Sequence, residues 1–422
     1  MHIVVIGAGI VGVCCAIELL HDGHSVTVLE PGTPGGEQAA SYGNGAWLSP
    51  SSVVPMSLPG LWRKVPGFLA DPLGPLAIRP AYLPRLLPWL WRFLQAGSNE
   101  AKAAAAARAL RPLVADAPER HIRLAGLAGV ADMVERHGLL YIFPDRAAFE
   151  AEALAWRLRA QNGVTWIELD ENELRQREPE LDRRYTFGVL VESGANCVDP
   201  GAYVAALAAY AQSLGARFAA GPGTGFNVAA GRLAAVRTPA GDIDCDRAVI
   251  SAGARSRALA FAAGDAVPLE TERGYHAVIT APEVRPRHPI MPSDGKMAMT
   301  PTRGGLRIAG QVEFAGLDAA PNWRRAQILR DFALRTFPGL PRDLPAERVN
   351  VWMGHRPSIA DGLPCIGAAS GCPDIVHAFG HGHIGLASGP ITGRLVADLI
   401  GGLSPVISPA PYAPTRFRHD RS

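Results

Sequence analysis

Residues 2–30, HIVVIGAGIVGVCCAIELLHDGHSVTVLE, govern how the whole chain is read. The opening HIVVIG is short, β-branched and apolar and stops at a glycine. That is the pattern of a strand buried on both faces of a parallel sheet. Gly12 to Leu20 reads as a helix and Ser25 to Glu30 as a second strand. Strand, glycine turn, helix and strand within about thirty residues form a βαβ unit. Gly7-Ala8-Gly9-Ile10-Val11-Gly12 is a G-x-G-x-x-G set between that strand and that helix. Gly7 allows the tight turn, Gly9 lets the backbone approach a pyrophosphate, and Gly12 lets the helix pack closely on the strand. Ile10 and Val11 open the helix, whose N-terminal amides and dipole favour phosphate. Glu30, eighteen residues past Gly12, ends the second strand where an acid holds ribose hydroxyls and repels a 2′-phosphate. The motif disfavours NADP and leaves FAD and NAD open.

Length and composition bound the rest. A chain of 422 residues has room for two or three domains. With 48% hydrophobic and 19% charged residues it builds a core and is not disordered. The balance of 41 basic against 39 acidic residues argues against nucleic acid as a partner. Cys14, Cys15, Cys197, Cys245, Cys365 and Cys372 show no C-x-x-C or His-spaced pattern, so no metal site is expected and the thiols read as buried and reduced. No apolar run reaches the length of a membrane span, and the N-terminal run lacks the basic segment of a signal peptide. The expected location is the cytoplasm.

Farther along, 31–52 reads as loop, and 100–136 and 146–161 as helices. A helix opened by Pro200 stops at Gly215, and a run of three strands follows: ARFAA, GRLAAVRTPAG and AVISAG. Residues 268–314 alternate strands and turns as an antiparallel sheet does, with one turn at Arg303-Gly304-Gly305. A helix over 322–337, a strand over 347–353, the strand DIVHAFG, a Gly/His loop and a last helix complete the chain. Parallel-type elements at the start, middle and end imply two interleaved domains. A dinucleotide domain takes 1–52, 196–264 and 346–422, and a substrate domain takes 53–195 and 265–345.

The far end separates FAD from NAD. Gly380-His381-Gly382-His383-Ile384-Gly385-Leu386 lies between a strand and a helix, and a helix N-terminus there suits negative charge on the N1/O2 edge of a reduced flavin. At this point the chain resembles the FAD-dependent D-amino-acid oxidase superfamily, above all the bacterial D-amino-acid dehydrogenases of small-subunit type. The resemblance runs nearly the full length. It rests on GAGIVG with Glu30, ASYGNGAWLSP (40–50), VDPGAYVAAL (198–207), ISAGARS (250–256), ETERGYH (270–276), GHRPSIADGLPCIG (354–367) and GHGHIGLASGPITGRLVADLI (380–400). It implies an α/β fold, a Rossmann-like FAD-binding domain interleaved with an α+β substrate domain carrying an antiparallel sheet. Ser41, Asn44 and Gly45 would line the flavin ring, Gly253 would sit near the FAD backbone, and Gly382, His383, Ile384, Gly385 and Leu386 would close over the pyrimidine edge. Gly354 and His355 stand where flavin-linking relatives carry a cysteine, which implies non-covalent FAD.

The implied reaction is oxidative deamination of a D-amino acid. A hydride passes from substrate Cα to flavin N5, and the imino acid hydrolyses to a 2-oxo acid and ammonia. A guanidinium binds a carboxylate bidentately, and the resemblance to glycine-oxidase-like relatives, whose matching arginine plays that part, implies that Arg356 holds the substrate carboxylate. Neighbours in a strand face opposite ways, so only one of Tyr275 and His276 looks into the pocket; Tyr275 is the choice. His383 either tunes the substrate amine or holds its loop. Secondary amino acids of hydroxy-D-proline, sarcosine or glycine type are the alternative substrates. A 2-hydroxy-acid dehydrogenase, an NAD-dependent dehydrogenase and a non-catalytic electron-transfer flavoprotein are further alternatives.

Residues 53–94 stand apart. They hold Trp62, Phe68, Trp89, Trp91 and Phe93, and Arg63, Lys64, Arg79, Arg85 and Arg92 against the single acid Asp71. Tryptophan with basic residues on an apolar stretch fits a shallow peripheral contact with the inner face of the cytoplasmic membrane, where a quinone or other respiratory acceptor would take the electrons. A pocket lid or a dimer contact fits equally.

Overall fold

The computed structural model describes residues 1–65, 67, 74 and 76–421. Phe68 and Asp71 lie outside the described residues.

The βαβ unit forms as its sequence dictates. His2–Ile6 sits inside a six-stranded sheet of order Arg217–Ala220, Ser25–Glu30, His2–Ile6, Arg247–Ile250, Ile375–Phe379 and Cys365–Ala368. All neighbours are parallel except the last pair. The helices Ile10–His21, Pro200–Ser213 and Gly385–Gly401 belong to the core on one face, through residues such as Val13, Ile17, Leu207, Ile391 and Leu395. The other face carries the helix Ser256–Ala262 and a small antiparallel sheet of Gly225–Ala229, Arg232–Thr238 and Gly241–Asp244. The run of strands expected after Gly215 is therefore divided: its first and last members join the parallel sheet, and its middle becomes this hairpin layer.

Two helices far apart in sequence lie side by side. A Cβ on Gly389 would sit 2.8 Å from the Ile10 side chain, and one on Gly393 would sit 2.6 Å from the Cys14 backbone. Because residue 389 meets 10 and 393 meets 14, Ile10–His21 and Gly385–Gly401 run in the same direction. Both N-termini thus emerge at the carboxyl ends of the strands His2–Ile6 and Ile375–Phe379. That is where open α/β sheets bind ligands.

The second large sheet has the order Val349–Ile359, Leu269–Ile279, Gly305–Phe314, Ala298–Thr302, Ile290–Pro292, Leu139–Phe143, Phe187–Val191 and Ile167–Leu169. It is antiparallel as expected over 268–314, apart from two parallel pairings. Ile290–Pro292 pairs with Leu139–Phe143, and Leu76–Ile78 pairs with Val312–Phe314. The helix Arg324–Thr336 packs on its back through Leu329, Phe332 and Ala333, which join Tyr275, Ala277 and Ile308 in one apolar cluster. The register shifts where Arg273 faces Glu313 and Tyr275 faces Gly310, and Gln311 takes a left-handed φ of 61°. This bulge decides which side chains face the site.

The helical stretch expected over 100–136 breaks at Ala115-Asp116 into Glu100–Val114 and Ala117–Leu127, where Pro118 suits a first turn, and ends in a 3-10 turn, Ala131–Met133, and the short strand Val134–Glu135. No helix among the described residues is long and apolar enough to cross a membrane.

Candidate active site

The glycine loop is tight where the sequence motif requires it. A Cβ on Gly12 would lie 1.9 Å from the Gly7 carbonyl, and one on Gly7 would lie 2.6 Å from that of Ser251. Gly9 is different: an added Cβ meets only the Ser41 hydroxyl, at 3.5 Å. Gly9 is also the N-cap of its helix and supplies no side-chain acceptor to the first turn. Ile10 donates its amide to Ser41 Oγ at 3.1 Å, and no acidic residue occupies that turn. Glu30 is buried at the end of its strand and accepts from the amides of Ala8 (2.7 Å) and Gly32 (3.1 Å). Gly253 opens onto empty space with φ 56°.

The loop after the cradle is strapped to the second sheet. Arg307 Nη1 donates to the carbonyls of Tyr42 and Asn44, both at 2.9 Å, and Thr300 Oγ1 donates to that of Gly45 at 2.7 Å. A Cβ on Gly45 would meet only the methyls of Ala298 and Ala309, at 3.3 and 3.6 Å. The strip at Gly45 is therefore flat and small. Asn44 closes the turn by accepting from the Ala46 amide at 2.8 Å.

The far glycine loop meets the same region. Gly380 has φ 88° and would press a Cβ to 2.2 Å from Ile359, so only glycine fits there. Gly382 donates its amide to the Pro357 carbonyl at 2.8 Å. His381 is buried and shares a hydrogen bond with Thr392 at 3.0 Å, and burial pushes its pKa down to about 3. Ile384, the N-cap of Gly385–Gly401, offers no side-chain cap, and neither Gly385 nor Leu386 brings a negative charge to the first turn. Buried His121 braces that turn by donating from Nε2 to the Leu386 carbonyl, 2.8 Å away.

Across from these loops, one face of the long sheet carries Glu272, Gly274 and His276 on one strand. Their register partners Arg356, Gly354 and Trp352 stand on the next. Arg356 lies flat over Gly274, where a Cβ would be 2.3 Å from its Cζ. Its Nη1 donates to the Gln311 carbonyl at 3.1 Å and its Nη2 to the Gly310 carbonyl at 3.4 Å. The bulge aims these two carbonyls at the guanidinium. Among the described residues no carboxylate forms an ion pair with Arg356, although Glu272 acts on it at longer range. His276 stacks on Trp352 with ring centroids 5.1 Å apart, and burial together with Arg307 pushes its pKa down to about 3.

A family model described as FAD dependent oxidoreductase (DAO) matches residues 2–399. The chain belongs to the DAO family of FAD-dependent oxidoreductases. A D-amino-acid oxidase of Bradyrhizobium diazoefficiens is 56% identical over 99% of each chain. A D-amino acid dehydrogenase of Rhizobium johnstonii is 30% identical over 99% of this chain and 100% of its own. Among solved structures, glycine oxidase from Geobacillus kaustophilus superposes with a TM-score of 0.72 at 21% identity, over 98% of each chain. That likeness shows the fold.

DAO-family membership makes FAD the cofactor, and the cradle fits it. The open Gly9, the uncapped helix start and the spare acceptor capacity of Glu30 are what a pyrophosphate and a ribose require. The sheet corrects one expectation. Tyr275 shares its strand with His276 but faces the back, where its hydroxyl donates to Glu313 at 2.7 Å and accepts from the Asn322 amide at 3.0 Å. It is 1% exposed and shares no face with Arg356, so it is a brace and not a pocket residue. His276, Trp352, Arg307 and Glu272 are the residues that the sequence reading passed over. Gly274 was the available signal, since a glycine inside a strand marks a close approach, and residues 272 and 276 share its parity.

His383 faces the open cleft and is solvent-exposed there. The protein mass around the cleft, followed by the Arg356 charge, still pushes its pKa down to about 4. The ring is therefore neutral near pH 7.

Proposed function

We propose that this enzyme oxidises D-amino acids at Cα, giving an imino acid that water converts to a 2-oxo acid and ammonia. The observation that carries this reading is Arg356. Its guanidinium is oriented by two backbone carbonyls, lacks a contacting carboxylate among the described residues, and lies on the sheet face opposite the flavin loops. A half-buried cation so placed suits a substrate carboxylate. The names of the two curated relatives support the D-amino-acid class.

When bound, FAD supplies the electron sink that accepts the Cα hydride. The chain's own work is binding, orientation and exclusion of water. Gly7, Gly9, Ile10, Val11 and Gly12 would cradle the pyrophosphate, with Glu30 on the ribose and Gly253 beside the cofactor backbone. Ser41, Asn44 and Gly45 would line one side of the ring, and Gly382, His383, Ile384, Gly385 and Leu386 its far edge. Arg356 holds the carboxylate, which fixes where Cα–H points. Neutral His383 can take a hydrogen bond from the substrate amine without adding a second positive charge beside Arg356. Val54, Met56 and Phe93 help wall the cleft at the 380–384 loop.

Anaerobic titration of the purified yellow protein with paired D- and L-amino acids tests this. Bleaching of the flavin band by D-forms and not by L-forms is the expected result. Bleaching only by sarcosine or D-proline types would move the substrate to secondary amines. Bleaching only by 2-hydroxy acids would change the reaction class, and a band that persists with all of them would make this an electron carrier.

For the electron acceptor we propose a quinone reached at a membrane surface. Trp62, Leu87 and Trp91 are 62%, 53% and 64% exposed, and Arg63 and Arg85 are exposed beside them. Exposed aromatics among cations favour an anionic interface. Trp89, by contrast, is buried and stacks on Phe93. The test is therefore Trp62→Ser with Trp91→Ser, which should reduce co-sedimentation with anionic vesicles. A wild-type protein that stays in the supernatant would end the proposal.

A further inference from the structure

Two neighbouring residues on the strand Gly305–Phe314 turn the same way. A Cβ on Gly310 would lie 3.4 Å from the Leu329 side chain, and Gln311 accepts at Oε1 from Arg325 Nη1 at 2.7 Å. Leu329 and Arg325 stand one turn apart on the helix Arg324–Thr336, at the back of the sheet. Alternation would send residues 310 and 311 to opposite faces. Their carbonyls break the pattern too. In a regular strand successive carbonyls point to opposite edges, yet those of Gly310 and Gln311 both accept from the Arg356 guanidinium. The residue between the two peptides has to turn for this to happen, and Gln311 does so, with φ 61°.

A left-handed φ is unfavourable for glutamine, because its Cβ crowds the backbone, and such a residue persists only where its surroundings hold it. The hold is visible here. Gln311 and Arg325 are both buried, and Arg325 sits in the first turn of its helix, where Nη1 also donates to the Gly74 carbonyl at 3.1 Å. The bond from Arg325 to Gln311 is charge-assisted and out of water, so it is stronger than a surface contact. Gln311 Nε2 meets no acceptor among the described residues, which leaves Oε1 as the end that is tied. Glycine and asparagine take such a turn more readily, but glycine has no side chain and asparagine is one methylene short of Arg325.

We propose that Gln311 is a positioning residue for the substrate carboxylate: tied to Arg325, it holds the turned peptide whose carbonyls set the rotation of the Arg356 guanidinium. The proposal rests on the reading of Arg356 as the carboxylate site. A guanidinium fork matches a carboxylate over a narrow range of angles, so a rotation that leaves the charge in place still loses the bidentate fit. Gln311 and Arg325 thus act from behind the sheet on a group at its front, without touching substrate.

The experiment measures the Kd of propionate, a carboxylate without an amine, from the shift it causes in the absorption band of the flavin-loaded protein. Gln311→Leu removes the tie and disfavours the turn, and should raise that Kd about tenfold with flavin still bound. Gln311→Glu keeps the length and an acceptor for Arg325, and should stay within about twofold of wild type. A residue that only stabilised the fold would lower the melting temperature in Gln311→Leu and leave the Kd alone. A wild-type Kd in Gln311→Leu, or a rise in Gln311→Glu as large as in Gln311→Leu, would overturn the proposal. If Gln311→Leu does not fold, Gln311→Asn decides: it tolerates the turn, stops short of Arg325 and should raise the Kd at least about threefold, and an unchanged Kd overturns the proposal as well. Arg356→Ala separates the two readings. Loss of propionate there, with Gln311→Leu binding as wild type does, sinks this proposal and keeps the carboxylate site; an Arg356→Ala that binds as wild type does, or a wild type that binds none, sinks both.

Discussion

At the cradle, specificity comes from atoms a few residues apart: Gly12 leaves no room for a methyl beside the Gly7 carbonyl. On the sheet face, Arg356 is oriented by a carbonyl forty-five residues away, and that carbonyl is aimed by a bulge in a third strand. The first region binds through backbone amides and needs only glycine and a helix start. The second binds through side chains whose direction depends on register across three strands. Cofactor binding can therefore be written locally, while the choice of substrate is written in pairing. The cradle should fail by steric exclusion and the sheet face by loss of direction.

Gly12→Ala should be the most damaging single change. A methyl 1.9 Å from a backbone carbonyl forces the helix off the strand, at about 3 kcal/mol or more, and purified protein should lack flavin. Gly9→Ala sharpens the contrast. Its methyl meets only Ser41 Oγ at 3.5 Å and its φ of −69° suits alanine, so apoprotein stability should hold while flavin affinity drops. Equal melting temperatures for the two apoproteins would show that Gly12 is not a packing constraint.

Arg356→Ala comes next. Losing a bidentate, partly buried contact to a carboxylate costs about 3 kcal/mol, or about a hundredfold in kcat/KM, with flavin still bound. Arg356→Lys should recover little, because an ammonium cannot reproduce the fork. An unchanged kcat/KM in Arg356→Ala would break the picture of the sheet face.

The pH dependence is smaller per group and tests both regions together. His121, His276 and His381 are buried, with pKa values pushed down to about 4, about 3 and about 3. Unfolded, each titrates near 6.5, so below that pH the unfolded chain binds protons that the folded chain refuses. Stability should thus fall steadily as pH drops from about 6.5 toward 4, by up to about 1.4 kcal/mol per pH unit for each ring. Thermal unfolding followed by flavin fluorescence reads this out; a melting temperature constant from pH 7 to 5 would mean the rings are reached by water.

Tyr275→Phe should have the mildest effect on turnover. It loses the hydroxyl bonds to Glu313 and to the Asn322 amide, at about 1–3 kcal/mol of stability, while kcat stays within about twofold. A large fall in kcat with stability intact would return Tyr275 to the pocket and reverse the assigned faces.

The legibility of the sequence follows the same division. Gly7, Gly9, Gly12 and Glu30 could be read because their task is backbone chemistry at fixed spacing, and the last glycine loop because it repeats that task. Arg356 was found through resemblance, not through pattern. The wrong choice between Tyr275 and His276 has a physical cause: alternation says that two neighbours face apart, but only the packed helix Arg324–Thr336 says which side is core. The bulge at Gln311 adds a parity change on the facing strand that no alternation pattern announces. Glu272 was invisible for a related reason, since an acid in a strand usually reads as a solvent-facing residue.

The clasp between the first and last helices also bears on how the protein is made. Arg394 on the final helix bonds to Glu18 on the first, 376 residues earlier, and its own neighbours Gly389 and Gly393 seat against Ile10 and Cys14. Contacts of such separation form late, because the intervening loop must close first. A nascent chain carries its glycine loop long before it carries the surface against which that loop's helix packs. Flavin uptake would then report that synthesis has passed the helix Gly385–Gly401: a chain cut short before residue 385 keeps the whole fingerprint and has nothing to close it.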